Sequence, residues 1–150
     1  GARLHLCLKG AILDCLKKEK RMRFNNDQEV FKFVKNHLLA QNAVSRFSDG
    51  GFSPDDPATC AYRGFDGLKC AVGCLITDEA YFPGLERKNM WDDAVLAALL
   101  TSGVDDLEMY SPRWCMLKRL QGLHDNDQPA DWGKRLEMYQ FDSDGAYIVP

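Results

Sequence analysis

The spacing of apolar residues predicts a mainly helical chain. Between positions 30 and 38, apolar side chains recur at steps of three and four, which places them on one face of a helix. Asn26 or Asp27 can cap the start of this helix, and its end is expected near Gln41-Asn42. This is the most clearly marked helix of the sequence.

Three further helices follow from the same spacing and from local stop and start residues. "MWDDAVLAALLTSG" carries an apolar stripe and stops at Gly103. Ser111-Pro112 then provide a cap followed by proline at the first helical position, which favours a helix through "RWCMLKRLQGLHDN". A last short helix is predicted from Pro129. The stripe of the first of these helices consists of Trp91, Val95, Leu96, Leu99 and Leu100.

Between the helical stretches the pattern changes to short extended pieces and turns. "CAYRGFDGLKC" has glycine at both ends of the four residues Gly64-Phe65-Asp66-Gly67, a hairpin signal. The fold class predicted is therefore mainly α (α+β), a single compact domain of four or five helices around a small β-hairpin. Its core is expected to include Tyr62, Leu68, Val72, Leu75, Leu96, Leu99, Leu117 and Leu120.

Charge divides the chain into an N-terminal segment and a body. The first 23 residues carry seven basic and two acidic residues, a net charge of +5, whereas the whole chain is at −3 and the remainder is therefore at −8. Residues 1–21 are predicted to form a basic amphipathic helix or extension, and 22–150 a single globular domain. Such a helix is expected to dock on its own domain or on a second copy, which would make a homo-oligomer.

Composition excludes several classes of partner and site. An acidic body argues against direct nucleic-acid binding, because phosphate contacts need basic residues, and it suits docking on another protein. No segment reaches the 18 to 20 apolar residues of a membrane span, so no membrane contact is expected. Six cysteines without a signal-peptide pattern indicate reduced thiols and a cytoplasmic location. The chain contains no P-loop, GxGxxG, HExxH or GxSxG motif.

The segment "CAYRGFDGLKCAVGCLI" holds three cysteines, which suggest a metal site as a first interpretation. Cys60, Cys70 and Cys74, completed by His124 or Cys115, would make a four-ligand zinc site. Their spacing lacks the CxxC pair of most structural zinc modules. The expectation is therefore that the protein has no cofactor, with zinc as the alternative.

Nucleophilic catalysis is a second interpretation of the same cysteines. If a short helix begins near Cys70, the amide groups of its first turn would lower the pKa of that thiol. His124 would then act as the base, with Asp125 or Asp127 orienting it. The third interpretation is that the thiols are small core residues and that His124, covered by Trp132, is structural. The sequence leaves all three open.

The order of motifs resembles that of a family of small uncharacterised proteins of bacteriophages and bacterial genomes. The resemblance covers roughly 22–136 and is carried by the Tyr-Arg-Gly turn, the Cys-Ala-Val-Gly-Cys segment and the Leu-Gln-x-x-His-Asp segment. It implies a phage-type accessory gene but brings no activity with it. The matching positions on the turn, Tyr62, Arg63 and Asp66, are the candidate binding residues.

Two classes of function follow. An accessory protein that binds a host or phage protein, for example to inhibit a host defence or enzyme, needs no reactive centre and is the function predicted here. A second form of this prediction is a binding module that zinc stabilises. The alternative is a cysteine-dependent hydrolase or transferase that uses Cys70 and His124, which requires a reactive thiol.

Overall fold

A computed structural model describes residues 22–47 and 60–150 of the chain. This part contains four α-helices, which confirms the prediction of a mainly helical fold. The predicted N-terminal helix over 1–21, and with it the predicted contact between two copies, lies outside the described residues. The helices are α1 (Asp27–Gln41), α2 (Asp93–Thr101), α3 (Pro112–Asn126) and α4 (Pro129–Leu136).

Local capping chemistry sets the ends of these helices. The Asn26 side chain accepts a hydrogen bond from the backbone N–H of Glu29 at the start of α1, and Asn42 ends that helix in the left-handed conformation with φ 49°. The Ser111 hydroxyl accepts from the N–H of Trp114, and Pro112 is the first residue of α3. Gly103, with φ +99°, turns the chain away after α2. The predicted ends of α1, the stop of α2 and the start of α3 are thus confirmed, whereas Trp91 of the predicted stripe lies before α2.

The core forms where α1 packs against α3 and α4. The short segment 71–76 lies at its centre, with every residue buried. Six of the eight residues predicted for the core are buried, while Leu68 and Leu96 are half-buried at its edge. In the described ranges, no helix is long and apolar enough to cross a membrane.

Residues 60–70 do not form the predicted β-hairpin. Phe65–Gly67 form a 3₁₀ turn in which Asp66 is left-handed with φ 59°, and only the Gly64 N–H to Leu68 carbonyl bond, 2.8 Å, closes the loop. The backbone of this segment bonds instead to residues 45 and 46. Cys60 forms an isolated antiparallel bridge with Arg46, and the Phe65 N–H donates to the Arg46 carbonyl at 2.6 Å. The backbone groups that would pair within a hairpin are thus hydrogen-bonded to residues 45 and 46.

Candidate functional site

His124 is the most completely enclosed polar side chain of the candidate site. It belongs to the last turn of α3 and has no exposed surface. The backbone N–H of Ser45 donates to Nε2 at 2.9 Å, and Nδ1 lies 2.9 Å from a carboxylate oxygen of Asp125. Trp132 of α4 stacks on the ring with centroids 5.7 Å apart, as the sequence predicted.

These contacts identify the tautomer of the neutral ring. Since an amide N–H can only donate, Nε2 must be the unprotonated nitrogen, and Nδ1–H then donates to Asp125. A neutral imidazole has a single acceptor lone pair, and the Ser45 amide already occupies it. His124 therefore presents no nitrogen that could accept a proton from a thiol or bind a metal without first breaking a buried hydrogen bond.

The Cys70 thiol is buried rather than poised for reaction. Its side chain is 1 % exposed, and burial raises the pKa of the thiol well above its usual range. Hydrogen bonds from the Gly73 N–H, 3.3 Å from the sulfur, and from the Gln121 side chain act in the opposite direction. The lowered pKa expected of Cys70 is thus not what the structure gives, because desolvation outweighs these hydrogen bonds.

The structure brings together only part of the predicted zinc ligand set. Ligand atoms of Cys60, His124 and Asp125 lie within 4.8 Å of one another. Cys74 is not in this group: its thiol donates to the Ala71 carbonyl at 3.0 Å, and burial raises its pKa to about 12. Cys115 does not join it either, since its thiol lies 3.6 Å from the carbonyl oxygen of Tyr110. The group of three would need His124 to give up its bond to Ser45.

Tyr62 and Arg63, two of the candidate binding residues, hold the backbone of the site in place. Their N–H groups donate to the two oxygens of the Glu86 carboxylate at 3.0 and 2.9 Å. The Tyr62 hydroxyl donates to the Lys88 carbonyl, and the Arg63 guanidinium donates to the Ile76 carbonyl at 2.9 Å. The Tyr62 side chain and the two N–H groups therefore position segment 60–63 against 86–88, and the Arg63 side chain positions it against Ile76.

Asp66, the third candidate binding residue, lies apart from the other two. It is exposed in the 3₁₀ turn, whereas Tyr62 is buried. Of the three, only Tyr62 lines the large cleft described next.

A cleft with a volume of about 490 Å³ opens beside these residues. Its lining combines thiols and an aromatic wall with three cationic side chains and one carboxylate. Sequence reasoning missed the cationic part, because its members come from separate segments with no shared motif. The lining residues are Cys60, Tyr62, Cys70, Arg87, Lys88, Asn89, Met90, Trp91, Lys118, Gln121, Gly122 and Asp125.

An aromatic cluster of Trp91, Tyr110 and Trp114 adjoins the rim of the cleft, which Trp91 alone of the three lines. Trp91 and Tyr110 are 37 % and 69 % exposed, whereas Trp114 is buried, and the three ring centroids are 4.7 to 5.5 Å apart in edge contacts. The Lys118 ammonium group lies 4.5 Å from the centre of the Trp91 ring. The Trp114 indole N–H donates to the Met90 carbonyl at 3.1 Å and so ties the rim to the core.

Arg87 of the cleft lining and Tyr110 of the aromatic cluster have an unfavourable backbone conformation. Arg87 and Tyr110 have φ values of 68° and 67°. These values lie in the left-handed region, which residues other than glycine and asparagine rarely adopt. Strained backbone of this kind concentrates at functional sites.

Comparison of the chain with protein-family models, with curated proteins and with solved structures finds no match. The resemblance to phage and bacterial proteins accordingly stays a prediction.

Proposed function

We propose that this protein is a protein-binding module, and that the aromatic cluster of Trp91, Tyr110 and Trp114 with the adjoining cleft is its contact surface. The observation that carries the proposal is the exposure of Trp91 and Tyr110 in a cluster that is otherwise well packed. Tryptophan and tyrosine are enriched among the residues that dominate binding energy at protein interfaces.

The cluster suits binding because its exposed rings are already held in place. Trp114 is buried and hydrogen-bonded, and both exposed rings rest on its edge. Side chains that are ordered before association lose less conformational freedom when a partner binds. A partner would therefore meet a preformed surface rather than two mobile side chains.

The resemblance to phage and bacterial proteins favours a host or phage protein as the partner. In this proposal the molecule is an accessory protein in the host cytoplasm that acts by occupying a surface of its target. Residues 24–150 carry a net charge of −8. This charge is compatible with binding a protein, but it disfavours binding to the phosphates of a nucleic acid.

The binding function is favoured over a cysteine-dependent reaction for a chemical reason. A hydrolase or transferase would need a thiolate at Cys70 and a base at His124. The thiol is buried with a raised pKa, and the imidazole lone pair is occupied by Ser45. A zinc-stabilised variant through Cys60, His124 and Asp125 meets the same obstacle at His124.

Crosslinked capture from a bacterial lysate, quantified by mass spectrometry, tests the proposal with matched variants. Trp91→Ala combined with Tyr110→Asn removes the exposed rings, and asparagine tolerates the left-handed backbone. Leu100→Ser with Met138→Ser removes two apolar side chains that are similarly exposed elsewhere, at 61 % and 60 %.

Wild type and the control double variant should capture the same partner, and the aromatic double variant should retain about a tenth or less of it. Cys70→Ala should capture normally if it stays folded. Equal capture by the aromatic variant would overturn the proposal.

A further inference from the structure

We infer that the cleft beside the aromatic cluster binds an acidic segment of the partner protein, whose carboxylates pair with Arg87, Lys88 and Lys118. This inference rests on the proposed function and names the chemistry of the partner. Trp91 supplies an apolar wall in the same cleft, so the segment should combine carboxylates with an apolar side chain.

The cleft has a local charge opposite to that of the molecule. Three cations and one carboxylate line it, whereas the whole chain has a net charge of −3. Within residues 22–47 and 60–150, no carboxylate lies within 4 Å of the charged groups of Arg87 or Lys118. Lys88 reaches only the edge of that distance, with Nζ 4.0 Å from Asp92. Positive charge with few carboxylate partners in a concave surface attracts an anionic ligand.

The carboxylate of the cleft itself is already engaged. One Asp125 oxygen accepts hydrogen bonds from the Gln121 amide at 2.9 Å and from the His124 ring at 2.9 Å. Asn89 adds a further donor at the rim. Its side-chain oxygen accepts from the Trp91 N–H at 2.9 Å, and the NH₂ group of this exposed side chain is a neutral donor that a carboxylate can use.

An acidic peptide suits this surface better than a nucleic acid does. Its few carboxylates can be satisfied inside the cleft, where the three cations lie together. A polyphosphate chain would continue past the cleft over a body with a charge of −8, and it would meet Asp92 and Asp93 directly after the rim residue Trp91. Repulsion there disfavours a long polyanion.

NMR titration of the full ¹⁵N-labelled chain tests the inference with defined probes. The first probe is a synthetic ten-residue peptide of alternating glutamate and leucine, and the second is the same peptide with glutamine in place of glutamate. The third is a ten-nucleotide oligothymidylate. The Trp91 indole N–H and the Asn89 NH₂ group report on the cleft directly.

The glutamate peptide should shift both signals, and the glutamine peptide should not. Its Kd should rise about fivefold in Lys118→Gln and in Arg87→Asn, each of which removes one charge from an exposed position. Lys134→Gln removes an equally exposed charge from α4, outside the cleft, and should leave the Kd unchanged. Thermal melting of each variant verifies that it is folded.

Each contrary result has a distinct meaning. Equal binding of the two peptides, or shifts confined to signals outside the cleft, would overturn the inference while partner capture that depends on Trp91 and Tyr110 would still stand. Tighter binding of the oligothymidylate in the cleft would overturn it in favour of nucleic acid. A third result is charge-dependent peptide binding together with partner capture that is unchanged when the rings of Trp91 and Tyr110 are removed. That result would support this site and overturn the proposed function instead.

Discussion

His124 acts at the scale of a single residue by joining three separate parts of the chain. Its ring accepts from Ser45 before the 48–59 segment, donates to Asp125 on α3 and stacks on Trp132 of α4. Phenylalanine fills a similar volume but leaves the buried Ser45 N–H unpaired. We expect His124→Phe to lower the free energy of unfolding by about 2–3 kcal/mol, measured by urea denaturation.

Asp125→Asn provides the matched control for this prediction. Asparagine keeps an oxygen that can accept from Nδ1–H of His124, and the position is partly exposed, so its cost should stay below about 1 kcal/mol. If His124→Phe proved as stable as wild type, the Ser45 amide would not depend on the imidazole, and a structural role for His124 would be contradicted.

The two buried thiols predict a loss of stability in alkali. Burial raises the pKa of Cys70 and Cys74 above the value of about 8.5 that cysteine has in an unfolded chain. A raised folded-state pKa means that the stabilising contribution is fully present below about pH 8.5. It is lost as the pH rises toward the folded-state pKa, because the unfolded chain ionises first.

Between pH 7.5 and 10 we therefore expect about 2 kcal/mol of destabilisation for each buried thiol, measured by urea denaturation at both pH values. The double variant Cys70→Ala, Cys74→Ala should be less stable at pH 7.5 but should lose less on going to pH 10. An equally steep loss in that variant would show that the thiols are not its source. Native alkylation at pH 7.5 should reach the half-buried Cys115 before Cys70.

At the scale of elements, the 3₁₀ turn Gly73–Leu75 requires a glycine where it meets the segment before it. A Cβ on Gly73 would fall inside contact distance of the Tyr62 carbonyl oxygen. Gly133 on α4 has no neighbour within 4 Å of such an atom. Gly73→Ala should therefore cost about 1–3 kcal/mol, whereas Gly133→Ala should gain about 0.5–1 kcal/mol from its helix propensity. Urea midpoints compare the two, and a neutral Gly73→Ala would mean that the two segments can separate without cost.

The helices could be predicted from the sequence because their signals are local. Asn26, Gly103 and Ser111-Pro112 each act on backbone groups a few residues away, and the structure uses them as the sequence indicates. The hairpin over 60–70 could not be excluded in the same way. Its backbone groups bond to residues 45 and 46, and nothing in the sequence of the turn indicates that competition.

The candidate site was less predictable than the helices, for a related reason. The sequence suggests that Trp132 covers His124 as part of a structural role, and that contact is confirmed. The raised pKa of Cys70 depends on everything packed around it, which a spacing pattern does not contain. The basic cleft draws on segments 87–91 and 118–125, and the spacing places Trp91 in a helix stripe, whereas it is exposed and lines the cleft.

At the scale of the whole molecule, one buried ion pair ties the start of the domain to its end. The Asp27 carboxylate accepts from the Arg113 guanidinium at 2.7 Å and from the Tyr147 N–H at 2.9 Å. Arg113 is 4 % exposed. The pair therefore links α1, α3 and the C-terminal tail, three elements that the chain connects only over long distances.

Because a buried charge without its partner is costly, Asp27→Asn should lower the free energy of unfolding by about 3 kcal/mol or more. Asp105 also pairs with Arg113, at 2.7 Å, but its side chain is 65 % exposed, so Asp105→Asn should cost about 1 kcal/mol or less and is the matched control. In a double-mutant cycle by urea denaturation, Arg113→Met should offset much of the Asp27→Asn loss, since it removes the stranded charge. Strictly additive losses would show that Asp27 stabilises the tail through Tyr147 alone, and that the ion pair contributes nothing to holding the two ends together.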